Sequence, residues 1–519
     1  MTAQAELQEA VFAFLADPAT HAGHPVRRID THAASVFLAG ERAYKVKRAV
    51  RFPFLDYSDL DKRKAACLAE LAVNRPFAAA LYLGVLPVTR AADGRLALDG
   101  DGEPVEWAVE MVRFDETQTL DHIAEARGLD DSLAEALAER VADMHRGAPG
   151  ADAQAWIAAL GRYIAQNGEA FAADTALFAA ADTLELERRS RAALEKLQPL
   201  LSERGRQGLV RRAHGDLHLG NIALIGGKPA PFDAIEFDPV IASGDVLYDL
   251  AFLLMDLVER RLDRAANIVF NRYLLATERP DDIDALGTLP LFMSLRAAIR
   301  AKAVAARLPH IDAAKRPAIA GEAQSYFRLA LGLLSPPPPV LIAVGGLSGT
   351  GKSVLARALA PSVLPAPGAL IARSDVLRKH LAGKAETERL PRDAYTPAAS
   401  ATVYRAVHAL AARALVAGHS AVVDAVYATE AERTDIAAVA ADAGVPFHGL
   451  FLHADLETRV SRVGSRTGDA SDADADVVRR QEKFKLGTLD WTAVDAAGTP
   501  AETLERARRA IAATIGVRS

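Results

Sequence analysis

Hydrophobic and polar positions follow two different periodicities in the first part of this 519-residue chain. Short apolar runs bounded by turn residues are typical of strands, and a segment at 61–74 and most of the chain after residue 131 have the 3.6-residue period of helices. We therefore expect a strand-rich lobe followed by a helix-rich lobe. The predicted strands are 35–38, 42–46, 81–88 and 105–112.

Four consecutive prolines at 336–339 interrupt the helical pattern. Proline neither continues a helix nor donates to a sheet, so the run predicts a short, stiff spacer. Beyond it, short apolar runs alternate with amphipathic helices, which is typical of a parallel sheet with crossover helices. The sequence thus predicts a first domain at 1–334, a linker at 335–339 and a second domain at 340–519.

The composition narrows the class of protein. Half of the residues are hydrophobic and 25% are charged, as in globular proteins, and 519 residues exceed what one core organises. A formal net charge of −6 provides no overall basic field for nucleic acid. One cysteine, Cys67, predicts neither disulfides nor disulfide-linked partners. With no signal-peptide pattern and no apolar span, we expect a cytoplasmic enzyme without membrane partners.

A phosphate-binding pattern follows the apolar run at 340–344. Its glycines let backbone N–H groups turn towards a phosphate, and the N-terminus of the next helix adds positive potential. We expect Lys352 to reach the β- and γ-phosphates of ATP, and the Ser353 hydroxyl to ligate Mg²⁺. The predicted nucleotide-binding residues of this loop are Gly346, Ser348, Gly349, Thr350, Gly351, Lys352 and Ser353.

Charged residues downstream of this loop predict a transfer reaction. Asp375 follows an apolar strand and is placed to accept a proton from a substrate hydroxyl, while Arg378, one helical turn on, can hold substrate anions. Asp424 ends another apolar run and is expected to orient Mg²⁺. Three arginines at helical spacing predict a lid that clamps phosphate: Arg459, Arg462 and Arg466.

These residues, in this order, resemble the P-loop kinases of the gluconate kinase, polynucleotide kinase and zeta-toxin group. The resemblance covers nearly all of 340–519 and implies an α/β P-loop NTPase domain with a parallel sheet. Nearby, Asp472, Asp474 and Asp476 begin like a calcium-binding EF-hand loop, but Val477 and Lys483 stand where that loop needs glycine and glutamate. We expect a solvated acidic loop there.

A second signature lies in the first domain, where His214-Gly-Asp216-Leu-His218-Leu-Gly-Asn221 has the spacing of a kinase catalytic loop. At such positions Asp216 accepts or orients the proton of the attacking hydroxyl, and Asn221 ligates Mg²⁺. A predicted hairpin at 222–232 then delivers a second acid for the metal.

Two acids compete for that role. Counting forward from Asn221 favours Asp233, whereas counting back from Asp249 favours Glu236.

The loop resembles that of the aminoglycoside phosphotransferase and choline kinase superfamily, over roughly 30–260. The resemblance implies an α+β, protein-kinase-like bilobal domain. It also implies that Lys45 or Lys47, with Lys45 preferred, holds the nucleotide phosphates, that Glu70 pairs with this lysine, and that Asp249 braces the catalytic loop. The two lysines lie on one face of a strand, so both remain candidates.

The leading hypothesis is a bifunctional ATP- and Mg²⁺-dependent phosphotransferase. Each site would move the γ-phosphate to a hydroxyl of a sugar, an amino sugar, a nucleoside-like molecule or a nucleic-acid end. In one alternative only the second domain is active, and the first binds substrate or regulates. In another the chain is an ATP-gated, toxin-like interaction protein.

Overall fold

The computed structural model describes residues 3–52, 55–465 and 468–512. They form two compact units: unit 1 comprises Met1–Ala173 and Arg191–Asp256, and unit 2 comprises Asp174–Ser190 and Leu257–Ser519. The helices are α1 (Ala3–Ala16), α2 (Leu60–Ala78), α3 (Leu120–Arg127), α4 (Asp131–Gly147), α5 (Ala153–Ala172), α6 (Ala180–Arg206), α7 (Val246–Glu259), α8 (Asp263–Thr277), α9 (Pro280–Asp284), α10 (Leu289–Ala305), α11 (Arg316–Leu333), α12 (Lys352–Leu359), α13 (Ser374–Leu381), α14 (Pro397–Val416), α15 (Glu430–Ala443), α16 (Leu456–Gly464), α17 (Ala475–Gln481) and α18 (Pro500–Ile511).

The strands are β1 (Val26–Asp30), β2 (Ala34–Ala39), β3 (Arg42–Lys47), β4 (Arg51–Phe52), β5 (Leu55–Asp56), β6 (Tyr82–Arg90), β7 (Leu96–Leu98), β8 (Glu103–Val112), β9 (Val210–Arg212), β10 (Ile222–Ile225), β11 (Lys228–Pro231), β12 (Ser243–Asp245), β13 (Leu341–Gly346), β14 (Leu370–Arg373), β15 (Ala421–Asp424), β16 (Phe447–His453) and β17 (Thr492–Asp495). The strands and the helix predicted in the first lobe are confirmed, with no end shifted by more than four residues.

Unit 1 contains an antiparallel sheet in the order β1-β2-β3-β8-β6-β7. Side chains alternate across a strand, so Tyr44 and Val46 of β3 join a core with α1, whereas Ala43 packs in the core shared with α2. The alternation places Lys45 and Lys47 on the α2 face. Behind this sheet, hairpin β10–β11 and the β9–β12 pair flank the predicted catalytic loop.

Unit 2 contains a parallel sheet in the order β14-β15-β13-β16-β17. The apolar run of β13 is central and buried, and Ile342 and Val344 pack with Leu355 and Leu359 of α12. This is the parallel α/β arrangement expected of a P-loop domain, so both fold classes are confirmed. Among the described residues, no helix combines the length and apolar character needed to cross a bilayer.

The compact units do not begin at the proline run. Residues 174–190 and 257–334 pack in the same unit as the parallel sheet. Helices α10 and α11, for example, bury apolar faces in unit 2, and Ser294 Oγ donates to the Ala330 carbonyl at 2.8 Å. The boundaries at 334 and 340 therefore stay predictions, and packing divides the chain differently.

Trp491 of unit 2 packs against strands β13 and β16 and is 8% exposed. A Cβ at Gly449 would come within 2.3 Å of the indole, and one at Gly345 within 2.9 Å. The ring also lies 5.0 Å, between centroids, from Tyr427. Glycine is required at these two strand positions because the indole occupies the space of a side chain.

Candidate functional site

Two lysines and three acids form a buried ion cluster in unit 1. Lys45 Nζ lies 2.8 Å from Glu70 Oε1 and 2.5 Å from Asp233 Oδ1. Lys47 Nζ lies 2.6 Å from the other Glu70 oxygen and also contacts Glu236. The predicted lysine–glutamate pair is thus present in geometry, and each of the two candidate metal acids has its own lysine.

The cluster favours the charged forms of its lysines and of Glu70. Burial opposes the charge of Lys45, but Asp233 and Glu70 outweigh burial and keep its pKa well above the ordinary value. Burial likewise opposes the charge of Glu70, yet the two lysines lower its pKa. Glu236 accepts a further hydrogen bond from the Tyr57 hydroxyl at 2.7 Å.

Lys47 and Glu236 are nearly closed to solvent, with side chains 3% and 7% exposed. Lys45 is 15% exposed and Asp233 is 46% exposed. The Lys45–Asp233 pair therefore faces the open side of the cluster, while Lys47–Glu236 lies behind it. Their roles toward phosphate and metal stay predictions.

Asp233 owes its position to an unusual backbone conformation. Its φ is +61°, in the left-handed region, directly after hairpin β10–β11. Its N–H donates to the Tyr82 hydroxyl at 3.1 Å, and the N–H of Ala234 donates to Asn74 Oδ1 at 2.9 Å. Asn74 and Tyr82 were missed in the sequence; the available signal was that Asn74 lies one helical turn after Glu70 on α2.

Asp249 of α7 binds the backbone of the catalytic-loop motif. Asp249 Oδ1 accepts from the N–H of Gly215 at 2.8 Å, and Oδ2 accepts from that of His214 at 3.2 Å. His145 Nε2 lies 3.0 Å from the same carboxylate, with its ring fully buried. The structure thus places Asp249 in the bracing position that the family resemblance implied.

Asp216 lies on the accessible side of this loop, with its side chain 42% exposed. Asn221 Nδ2 donates to Asp216 Oδ2 at 2.9 Å, and His218 Nε2 lies 3.6 Å from the same oxygen. His214 Nε2 lies 3.0 Å from the carbonyl of Phe232, the residue before Asp233. Loop and hairpin are therefore tied together, and Asp216, Asn221 and Asp233 belong to one region.

The phosphate-binding loop of unit 2 has the backbone that its glycines predict. Gly346, Gly349 and Gly351 have φ of +140°, +84° and +92°, which L side chains rarely adopt. A Cβ at Gly349 would lie 2.5 Å from the carbonyl oxygen of Arg459. Thr350 Oγ1 donates to the Leu347 carbonyl at 2.8 Å, and Lys352 Nζ donates to it at 3.3 Å. Ser353 follows in the first turn of α12.

The two predicted acids, Asp375 and Asp424, lie near Arg373, a residue to which the sequence analysis gave no role. Arg373 ends β14, is 6% exposed, and contacts Asp424 Oδ2 at 3.4 Å and Asp469 Oδ1 at 2.5 Å. Asp375 lies in the first turn of α13. Burial raises the pKa of Asp375, Arg373 and Lys352 oppose that rise, and Ser471 donates a hydrogen bond to the carboxyl. Lys352, Asp375 and Asp424 thus share one electrostatic environment.

Arg378 lies on α13, three residues after Asp375. Its guanidinium carbon is 4.8 Å from the centre of the Tyr395 ring, and Nη1 donates to the Ala394 carbonyl at 2.6 Å. The solvated loop expected around Asp472 is wrong for that residue. Asp472 accepts from Lys379 Nζ at 2.7 Å and from the Tyr395 hydroxyl at 2.5 Å, because a buried lysine needs a carboxylate partner.

The structure gives the predicted arginine row different partners. Arg459 is 2% exposed and is paired with Glu482. Arg462 donates to the carbonyls of Ala496 and Gly498, at 2.7 and 2.8 Å. Arg466 lies outside the described residues. Their role as a phosphate clamp stays a prediction.

A neighbouring glutamine contacts the phosphate loop. Gln481, at the end of α17, accepts from the N–H of Ser348 at 2.6 Å, and sequence reasoning missed this contact. Within the described parts of the chain, no three His, Cys, Asp or Glu residues are grouped closely enough to hold a metal ion by themselves.

Comparison with known families agrees with both loops. Residues 32–285 match the family described as the phosphotransferase enzyme family, APH, and residues 341–485 match the AAA domain family AAA_33. The chain joins an aminoglycoside phosphotransferase-like domain to a P-loop kinase-type domain. Two kinase-type domains support phosphotransferase activity and imply the use of ATP.

Relatives of similar length exist in mycobacteria. Uncharacterized proteins Rv2004c of Mycobacterium tuberculosis and Mb2027c of Mycobacterium bovis are each 28% identical over 458 residues, covering 86% of this chain and 88% of theirs. Among solved structures, a gluconokinase from Sinorhizobium meliloti 1021 is 25% identical, covering 34% of this chain and 94% of its own, with a TM-score of 0.25. An aminoglycoside phosphotransferase from Alicyclobacillus acidocaldarius is 15% identical, covering 59% and 90%, with a TM-score of 0.35.

Proposed function

We propose that the chain is a bifunctional phosphotransferase that moves the γ-phosphate of ATP to a hydroxyl group at each of two sites. The observation that supports the proposal is that each unit has a kinase-type loop with a lysine and a separate carboxylate, to which we assign the phosphate and the acceptor. In unit 1 these are Lys45 and Asp216. In unit 2 they are Lys352 and Asp375, which interact electrostatically.

In unit 1, Asp216 is proposed as the base that receives or orients the acceptor proton. Its side chain is half-exposed, and the backbone of its loop is fixed by Asp249, so an entering hydroxyl would meet a positioned carboxylate. Lys45 faces the open side of the ion cluster and is proposed to hold nucleotide phosphate. Lys47 and Glu236 lie behind and are proposed to hold Glu70 in place.

In unit 2, backbone N–H groups of the phosphate loop and Lys352 would bind the β- and γ-phosphates. Asp375 is proposed as the acceptor-side base. Because burial raises its pKa above that of an ordinary aspartate, its ionised form is a stronger base than a solvent-exposed aspartate. Arg378, beside Tyr395, is proposed to bind the acceptor.

The residues present fit Mg²⁺, which prefers oxygen ligands and is usually held by one or two protein groups together with nucleotide phosphates. Asn221 and Asp233 would supply an amide and a carboxylate oxygen in unit 1. Ser353 and Asp424 would supply a hydroxyl and a carboxylate oxygen in unit 2, where Asp424 is the acid that faces Arg373. The ion would neutralise charge on the transferring phosphate.

The acceptor is proposed to be a small molecule (a sugar, amino sugar or nucleoside-like compound) or a nucleic-acid end. Sugars, aminoglycosides, nucleosides and 5′-hydroxyl oligonucleotides are to be incubated with γ-labelled ATP and the full chain. The proposal expects two activities, one abolished by Asp216→Ala alone and the other by Lys352→Ala alone.

Matched controls are Asp143→Ala in unit 1 and Lys315→Ala in unit 2, which remove exposed residues of the same types. Both should retain both activities. If Lys352→Ala abolishes all transfer and Asp216→Ala leaves transfer unchanged, unit 1 would be a binding or regulatory module. Absence of labelled product with every acceptor, together with retained ATP binding, would favour an ATP-gated interaction protein.

A further inference from the structure

Strand β14 lies at one edge of the unit 2 sheet. The N–H of Leu370 donates to the Ser420 carbonyl at 2.9 Å, on the side of β15. Backbone groups alternate in direction along a strand, so those of Ala369 and Ile371 point to the outer edge. An edge strand presents such groups without a neighbouring strand to bind them, and proteins cover them by other means.

Asn271 of α8 covers this edge. Its Oδ1 accepts from the N–H of Ile371 at 2.7 Å, and its Nδ2 donates to the carbonyl of Ala369 at 3.1 Å. A residue on a neighbouring parallel strand would make the same pair of bonds, one to each residue flanking its partner. One turn earlier on α8, Asn267 is 1% exposed and also donates to the Ala369 carbonyl, at 3.0 Å.

The braced strand leads directly into the acceptor side of the site. Arg373, two residues after Ile371, ends the strand and contacts Asp424 and Asp469. Asp375, two residues further on, lies in the first turn of α13. A change in the register or path of β14 would therefore move the proposed base, whereas the phosphate loop follows the separate strand β13.

We propose that Asn271 is a positioning residue for transfer at the P-loop site. It touches neither nucleotide nor acceptor; by completing the outer edge of β14, it holds Arg373 and hence Asp375 in place. The inference rests on the proposed role of Asp375. Displacing a reacting group by about 1 Å can cost about 100-fold in rate, so a brace at this distance is sufficient to control turnover.

The same helical region supplies a matched control. Arg413 donates to Asp284 from Nε at 2.7 Å and from Nη2 at 2.6 Å, in an exposed ion pair within unit 2. This pair joins α9 to α14 and does not involve β14. Arg413→Ala therefore removes a contact of α9 while leaving the strand edge intact.

The test uses the full chain with Mg·ATP, with water as the phosphate acceptor, in an Asp216→Ala background so that the first site is silent. Asn271→Asp keeps the size of the side chain but turns a carboxylate oxygen towards the Ala369 carbonyl. Asn271→Leu removes both bonds. Three quantities are measured in each: hydrogen exchange of peptides spanning 369–381, kcat for hydrolysis, and the calorimetric Kd for Mg·ATP.

For both variants we expect faster exchange in 369–381, a kcat lower by about tenfold, the rate equivalent of one to two hydrogen bonds, and a Kd within about twofold of the parent. Arg413→Ala should match the parent in all three. If the leucine variant does not fold, the aspartate variant of equal size decides.

Unchanged exchange and kcat in the aspartate variant would overturn the proposal, and so would an equal loss of ATP affinity and kcat. If the parent neither binds nor hydrolyses ATP at the P-loop, the proposed function of that site is overturned. Faster exchange confined to the Asn271 variants would then still support the brace of β14.

Discussion

Under the proposed function, the two candidate sites bind phosphate by different means. In unit 2 the loop between Gly346 and Gly351 contains three glycines with positive φ, and its backbone N–H groups form the cradle. In unit 1 the positive charge comes from Lys45 and Lys47. Their partner Glu70 is more than twenty residues away, and their partners Asp233 and Glu236 come from the segment that follows a distant hairpin.

This difference indicates which substitutions should disrupt each site. A backbone cradle is local and depends on steric space, since a side chain at Gly349 would collide with Arg459. A side-chain cluster is non-local and depends on charge balance, because a buried ion that loses its partner keeps the cost of desolvation. Substitutions that change charge should therefore harm unit 1 most, and substitutions that add volume should harm the loop of unit 2 most.

The largest expected effect separates the two sites by activity. Asp216→Asn removes the proposed base of unit 1, and we expect transfer at that site to fall by about 10² to 10⁴-fold, the range for general-base catalysis. Transfer that depends on Lys352 should be unchanged. Rates with labelled ATP measure both. An equal fall at the two sites would contradict their independence.

A second prediction distinguishes the two lysines. Lys47→Met leaves Glu236 and one Glu70 oxygen without a cation in a nearly closed environment, and should lower the free energy of unfolding by about 3–5 kcal/mol. Lys45→Met should cost less stability, because Asp233 can be hydrated, but should raise the KM for ATP. Urea unfolding and steady-state kinetics test this. Equal stability losses would show that the Lys47–Glu236 pair is not more buried than the Lys45–Asp233 pair.

A third prediction contrasts the units in acid. Burial lowers the pKa of His419 in unit 2 to about 4, from an ordinary value of 6.5. The unfolded chain therefore takes up this proton first, and unit 2 should lose up to about 3 kcal/mol as the pH falls from 6.5 to 4. Glu70 in unit 1 has a lowered pKa, so its contribution is present above its ordinary value of 4.5 and is lost only below it.

Hydrogen exchange of peptides from each unit at pH 7 and pH 5 measures the contrast. His419→Gln should weaken the pH dependence of unit 2 and leave that of unit 1, where burial also lowers the pKa of His214, unaltered. An unchanged pH dependence of unit 2 in His419→Gln would contradict the assignment.

The smallest effect concerns Arg462. Because it donates to the carbonyls of Ala496 and Gly498, Arg462→Ala should lower stability by about 1 kcal/mol and change the KM for ATP less than about twofold. Thermal unfolding and kinetics decide. A large rise in the KM for ATP with unchanged stability would support the phosphate clamp predicted from helical spacing.

Local features were predictable, and long-range partners were not. Strand β13, the glycine turns and helix α12 are adjacent in the chain, so their pattern contains the information for their geometry. The same holds for the spacing from His214 to Asn221. By contrast, alternation along β3 placed Lys45 and Lys47 on one face but could not distinguish them, because the distinction depends on Asp233 and Glu236 in the segment after a distant hairpin.

Local patterns did not show the tertiary partners of several charged residues. Helical spacing predicts that Arg459 and Arg462 act together, yet one pairs with Glu482 and the other binds the carbonyls after β17. Asp472 lies in a polar, acidic stretch, yet Lys379 and Tyr395 bind it. Arg373 gave no signal of its own because arginine at a strand end is common, and only the fold brings it to two acids.

The indole against Gly345 and Gly449 offers a built-in optical probe. The chain has three tryptophans, and Trp107 and Trp156 belong to unit 1, so Trp491 alone reports on unit 2. Replacing the other two with phenylalanine would leave one emitter directly behind the strand that feeds the phosphate loop. Its emission wavelength and quenching would then register nucleotide docking in that half of the polypeptide without any added label.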